Sequence, residues 1–145
     1  MASSIKEITG FLQKVTLFRG LKGRHLESLA KRMVERSYQA GATIVTQGQG
    51  GEGFFIVTSG KAQVIRKRSD GEEVVVNTFG PTEYFGELAL LDDGPRTATL
   101  IAVEPTQCLV LTRWDFLGEL KEDGEMAVEI LQELARRFRE ALEVL

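Results

Sequence analysis

At 145 residues, with 43% hydrophobic and 27% charged residues, the chain has the size and composition of one globular domain with a real core. A formal net charge of -3 leaves no basic footprint for gripping nucleic acid, and no apolar run reaches the length of a membrane span. The lone cysteine, Cys108, excludes an internal disulfide and fits a reducing compartment, so a cytoplasmic protein is expected.

The N-terminal residues Met1 to Gly10 lack a basic stretch followed by an apolar one, so no signal peptide is expected. Residues 5–18 place Ile5, Ile8, Phe11, Leu12 and Val15 at helical spacing. From Arg24 to Tyr38 the apolar positions Leu26, Leu29, Ala30, Met33 and Val34 recur at three and four residues, which predicts one amphipathic helix. His25, the sole histidine, is expected exposed in its first turn.

Helical character stops at Gly41. From there to Leu111, glycines punctuate short runs rich in β-branched residues, such as Phe54-Phe55-Ile56-Val57, Ala62-Gln63-Val64-Ile65 and Val74-Val75-Val76. Asp70-Gly71 between two runs signals a hairpin, because both residues tolerate positive φ, and Ser59-Gly60 marks another turn. The loop carrying Gly48, Gly50, Gly51 and Gly53 lacks the Lys and Ser/Thr of a P-loop and opens a strand, so its role is read as structural. Cys108 lies in a strand-like run and reads as a buried thiol.

After Leu111 the pattern is helical again. Thr112 is placed to cap a helix over Trp114 to Leu120, Asp123-Gly124 breaks it, and a last helix covers 125–145. In that helix Ala127, Leu131, Leu134, Phe138, Ala141 and Leu145 form a heptad seam, widened by Ile130 and Leu142. The seam suits packing on its own barrel or a homodimer, and both uses are open. Arg136, Arg137 and Arg139 lie within a turn of Glu133, Glu140 and Glu143, which reads as a solvated, salt-bridged face. The expected organisation is a single domain over 1–145: helices over 5–38, a β region over 41–111 and C-terminal helices over 112–145.

The segment from Phe85 to Thr99 carries the chemistry. Gly86 lets a backbone approach a ligand closely, and Glu87 offers two acceptor oxygens suited to a ribose hydroxyl. Leu88 to Leu91 can form one helical turn whose first amides face an anion. Pro95 ends the turn, and Arg96 can grip a phosphate with paired donors. Thr97 and Thr99 are expected on one strand face with Ala98 on the other. Asp92 and Asp93 should point outward, since extra negative charge beside a phosphate would weaken its binding.

This order, Phe-Gly-Glu-hydrophobic-Ala-Leu, a short gap and then Pro-Arg-x-Ala, resembles the phosphate-binding cassette of the cyclic-nucleotide-binding domain family. Gly41, Gly48, the Gly53-Phe54-Phe55-Ile56-Val57 run and Gly60 extend the resemblance, which covers roughly Phe11 to Leu145. The resemblance implies a mainly β fold with flanking helices, a β-roll or jelly-roll (double-stranded β-helix) with N-terminal helices and a C-terminal lid helix. It implies that Glu87 accepts the ribose 2′-OH and that Arg96 pairs with the cyclic phosphate. Backbone amides of Gly86, Leu88, Ala89 and Ala98 would complete the cradle, and Thr97 leaves both cAMP and cGMP open as the ligand. Signalling would proceed by movement of the lid helix toward an effector that the sequence does not identify.

No catalytic residue, metal site or cofactor is expected. A metal-dependent enzyme on a similar barrel generally needs two or more histidines, and only His25 is present. A structural or dimerisation module of the same fold without ligand is the alternative, against which the presence of both Glu87 and Arg96 weighs. No helix-turn-helix follows the closing helix, so neither a transcription-factor role nor a nucleic-acid partner is expected.

Overall fold

The computed structural model describes residues 3–49, 53–92 and 94–145. The chain divides into a helical unit, residues 1–32 with 114–145, and a β unit, residues 33–113.

In the helical unit, α1 (Ile5–Leu12) begins at Ser4, whose side chain accepts from the Glu7 amide, and buries Ile8 and Leu12. A 3-10 turn (Thr16–Phe18) buries Leu17 and Phe18. The Phe18 ring lies 5.9 Å from that of Phe116, which is fully buried on α3 (Arg113–Glu122). Helix α2 (Gly23–Arg32) buries His25, Leu26, Leu29 and Ala30. Helix α4 (Gly124–Glu143) buries Met126, Ile130 and Glu133.

Two expectations fail here and a third holds in part. The helix predicted to Tyr38 ends at Arg32, and Val34–Tyr38 forms a strand. Met33 and Val34 continue the helical spacing, but Val34 to Tyr38 find antiparallel partners in Val110 to Thr106, and this pairing overrides local periodicity. His25 is 1% exposed, not a surface residue: its Nδ1 accepts from the Lys22 amide at 3.2 Å, and its Nε2 lies 3.3 Å from Asp123 Oδ2. The arginine cluster is salt-bridged as expected, but one acid it pairs with is not solvated. Buried Glu133 gathers Arg136 at 3.0 Å, Arg19 at 3.5 Å and Arg137 at 3.7 Å, and Arg137 also donates to the Thr16 hydroxyl.

Asp123 caps α4, accepting from the Glu125 and Met126 amides and pairing with Arg24 at 3.2 Å. Burial opposes ionisation of its carboxyl, but the amide bonds with neighbouring His25 and Arg24 outweigh this and hold it below the ordinary 3.8. Glu125 is likewise lowered from 4.5, chiefly by its bond from Lys22. A carboxyl lowered in the folded state stabilises it above the unfolded value and loses that contribution as pH falls through the folded one. Asp123→Ala is therefore expected to lower the melting temperature near neutral pH, with the gap to the native protein closing as pH falls below 3.8. A thermal scan across pH checks this, and a gap independent of pH would refute the charged cap.

Among the described residues the β unit holds eight strands in two antiparallel sheets. One sheet orders β1 (Val34–Tyr38), β8 (Thr106–Thr112), β3 (Gly53–Ser59) and β6 (Tyr84–Phe85). The other orders β2 (Thr43–Val45), β7 (Thr99–Ala102), β4 (Ala62–Lys67) and β5 (Glu73–Phe79). This is the expected mainly β roll with flanking helices, although its first strand starts at Val34 and not at Gly41. Phe55, Val57, Cys108 and Val110 form the core of the first sheet, with Phe85 stacked on Phe55 at 4.9 Å. Cys108 is 1% exposed, and burial pushes its thiol up to about 11, as befits an inert structural cysteine. The Asp70-Gly71 hairpin forms between β4 and β5, closed by the Glu72 amide on Asp70 Oδ1 at 2.9 Å. Of the glycine-rich loop, Gly50 and Gly51 lie outside the described residues, as does Asp93 of the later segment.

Candidate functional site

Strand β6 ends at Phe85, and Gly86 turns the chain with φ +84, a conformation that suits glycine. A 3-10 turn, Glu87–Leu90, follows one residue earlier than the predicted helical turn. It is anchored by Leu90, fully buried, and by the Ala89 amide donating to the Gly86 carbonyl at 3.0 Å. That bond already engages one of the amides expected to form the cradle.

Arg96 is fixed from both sides of its backbone. Its amide donates to Gln49 O, and its carbonyl accepts from the Gly48 amide, both at 2.8 Å. Its guanidinium donates to Gly53 O at 2.6 Å. The loop read as structural thus holds the arginine through its two described ends.

These elements enclose a cavity of about 540 Å³, within the range of small-molecule sites. All seven residues picked from the sequence, Gly86, Glu87, Leu88, Ala89, Arg96, Thr97 and Ala98, line it. Thr97 and Ala98 precede β7, which starts at Thr99, and all three reach the cavity, so the predicted division into two strand faces does not occur. Thr99 is further engaged through its hydroxyl, which accepts from the Gln47 amide at 2.9 Å. Asp92, expected to point outward, is exposed and also belongs to the cavity lining, and its Oδ1 accepts from the Gly94 amide at 3.0 Å.

The apolar part of the lining carries no signal in the sequence: it consists of Val45, Val64, Phe79, Phe85 and Leu100. Leu100 on β7 pairs with Val45 on one side and Val64 on the other, so sheet register gathers three branched side chains into one apolar surface. The strands were legible, but their neighbours were not. The cavity therefore offers an apolar wall to a flat ring, and a carboxylate and a guanidinium to a sugar and an anion.

The family model of the cyclic nucleotide-binding domain matches residues 35–123. The chain is 38% identical over 125 residues to the Cyclic AMP receptor protein of Thermus thermophilus, covering 86% of this chain and 58% of that receptor. It superposes with TM-score 0.84 and 33% identity on the N-terminal domain of a transcriptional regulator from Streptomyces coelicolor, over 93% of this chain and 96% of that one. The regulatory domain of Toxoplasma gondii PKA, solved with cAMP, matches with TM-score 0.72 and 26% identity over 94% of this chain and 50% of that one. The chain belongs to the cyclic nucleotide-binding domain family.

The chain spans little more than half the length of the curated relatives it matches. Some of these are named transcriptional regulators, which removes the ground for excluding a transcriptional role from where this chain ends. Among the described residues no helix is long and apolar enough to cross a membrane.

Proposed function

We propose that this domain is a cytoplasmic, non-enzymatic receptor module that binds a cyclic nucleotide, cAMP or cGMP, in the cavity bounded by the 3-10 turn and β7. Glu87 accepts the ribose 2′-OH, Arg96 pairs with the cyclic phosphate, and backbone amides of Gly86, Leu88 and Ala98 complete the cradle. Thr97 stands beside Arg96, where its hydroxyl serves the phosphate or a guanine amino group. The base rests against the wall of Val45, Val64 and Leu100. The observation that carries this reading is the convergence of Glu87 and Arg96 on one cavity with an apolar wall.

Ligand binding shifts the population of α4 positions, which requires tighter binding to one arrangement than to the other. The seam predicted on α4 supports a homodimer, because Leu131 and Phe138 are 64% and 66% exposed while Met126 and Ile130 on another face are buried. The output is read by a segment or partner outside these residues, and the transcriptional regulators among the relatives make a DNA-reading region the favoured effector. Calorimetric titration with cAMP and with cGMP tests the receptor reading. A saturable heat with at least one of them is expected, and no heat and no thermal shift at millimolar ligand would leave only a structural module.

A further inference from the structure

We propose that Asp92 is a selectivity residue that turns the cavity toward a singly charged cyclic phosphodiester and against a doubly charged nucleoside 5′-monophosphate. This rests on the receptor reading above. Among the described residues lining the cavity there are two carboxylates, Glu87 and Asp92, and one cation, Arg96. Glu87 has a use, since ribose hydroxyls are donors. Asp92 has none of that kind: a cyclic phosphodiester offers only acceptor oxygens, so an acid near it contributes repulsion and no hydrogen bond. Yet the side chain is held in place by the Gly94 amide at 3.0 Å.

The physical effect depends on ligand charge. Coulomb repulsion from one carboxylate is proportional to the charge on the ligand, and a phosphomonoester carries up to about -2 near neutral pH. The diester carries a single charge, so Asp92 weakens its binding once and weakens that of the 5′-monophosphate about twice as much on a logarithmic scale. A repulsive group of this sort discriminates between ligands that share a base and a sugar. It would keep the products of ring-opening hydrolysis from occupying the receptor.

Asp92→Asn tests this, because the amide oxygen still accepts from Gly94 and the turn is preserved. Dissociation constants for cAMP and 5′-AMP are measured on the native protein and the variant, directly for cAMP and by competition for 5′-AMP, in low and in molar salt. In low salt cAMP is expected to bind about threefold more tightly to the variant and 5′-AMP about tenfold more tightly. Both gains should shrink in molar salt, where screening lengths fall to about 3 Å. Asp92→Glu keeps the charge and alters the turn, and is expected to keep the native selectivity. Equal gains for the two ligands, no gain at all, or relaxed selectivity in Asp92→Glu would each overturn the proposal. If the native protein binds neither cAMP nor cGMP, the receptor reading itself falls. If the native protein binds cAMP and Asp92→Asn discriminates as the native does, only the role of Asp92 falls.

Discussion

Arg96→Ala is expected to weaken cyclic-nucleotide binding by about 2–5 kcal/mol, the cost of removing one partner of a desolvated charge pair. The guanidinium brings a positive charge and a planar set of donors that matches two phosphate oxygens, and alanine supplies neither. Its loss also leaves Glu87 and Asp92 as the charged side chains among the described cavity residues, so the ligand meets net repulsion. The fold should survive. The backbone bridges from Arg96 to Gln49 and Gly48 do not involve the side chain, and truncating that side chain leaves room for a water to replace the guanidinium at Gly53 O. A near-native melting temperature with a large rise in dissociation constant is the signature. Arg96→Lys separates charge from geometry: it should recover part of the affinity but not the paired-donor contribution. Titration of Arg96→Ala indistinguishable from native would mean that the phosphate is held elsewhere.

The cassette was legible because its residue types are unusual in combination. A glycine before an acid, and a Pro-Arg pair before small residues, state their backbone and chemical requirements locally. The strand Val34–Tyr38 was not legible because what makes it a strand is β8, whose Thr106–Val110 lies about seventy residues away in sequence and supplies its hydrogen bonds. The apolar wall was hidden for the same reason: Val45, Val64 and Leu100 are ordinary strand residues until register sets them side by side. His25 and Glu133 show the complementary failure. Polar residues on helices normally face water, but here Lys22 and Asp123 meet the histidine, and three arginines make burial of the glutamate tolerable.

Gly86→Ala is expected to destabilise the fold by about 2–4 kcal/mol and to impair ligand binding as well, whereas Gly71→Ala should cost only about 1 kcal/mol. The two glycines have nearly the same φ, +84 at Gly86 and +89 at Gly71. They differ in surroundings. A methyl carbon at Gly71 meets nothing within 4 Å, so that variant measures the strain of a left-handed alanine alone. At Gly86 the same carbon would sit 2.6 Å from an Arg96 guanidinium nitrogen and 2.7 Å from the Gly53 carbonyl oxygen. The arginine tip can swing away, but the carbonyl belongs to the backbone of β3 and cannot yield without moving the strand. The collision thus adds an overpacking cost to the strain, and it displaces the group proposed to hold the phosphate. Denaturant unfolding of both variants gives the stability difference, and titration with cyclic nucleotide gives the second effect. The double variant Gly86→Ala with Arg96→Ala should lose much less affinity than the sum of the singles, because both act through one guanidinium. Full additivity, or equal stability costs at Gly86 and Gly71, would show that the close approach at Gly86 does not position Arg96.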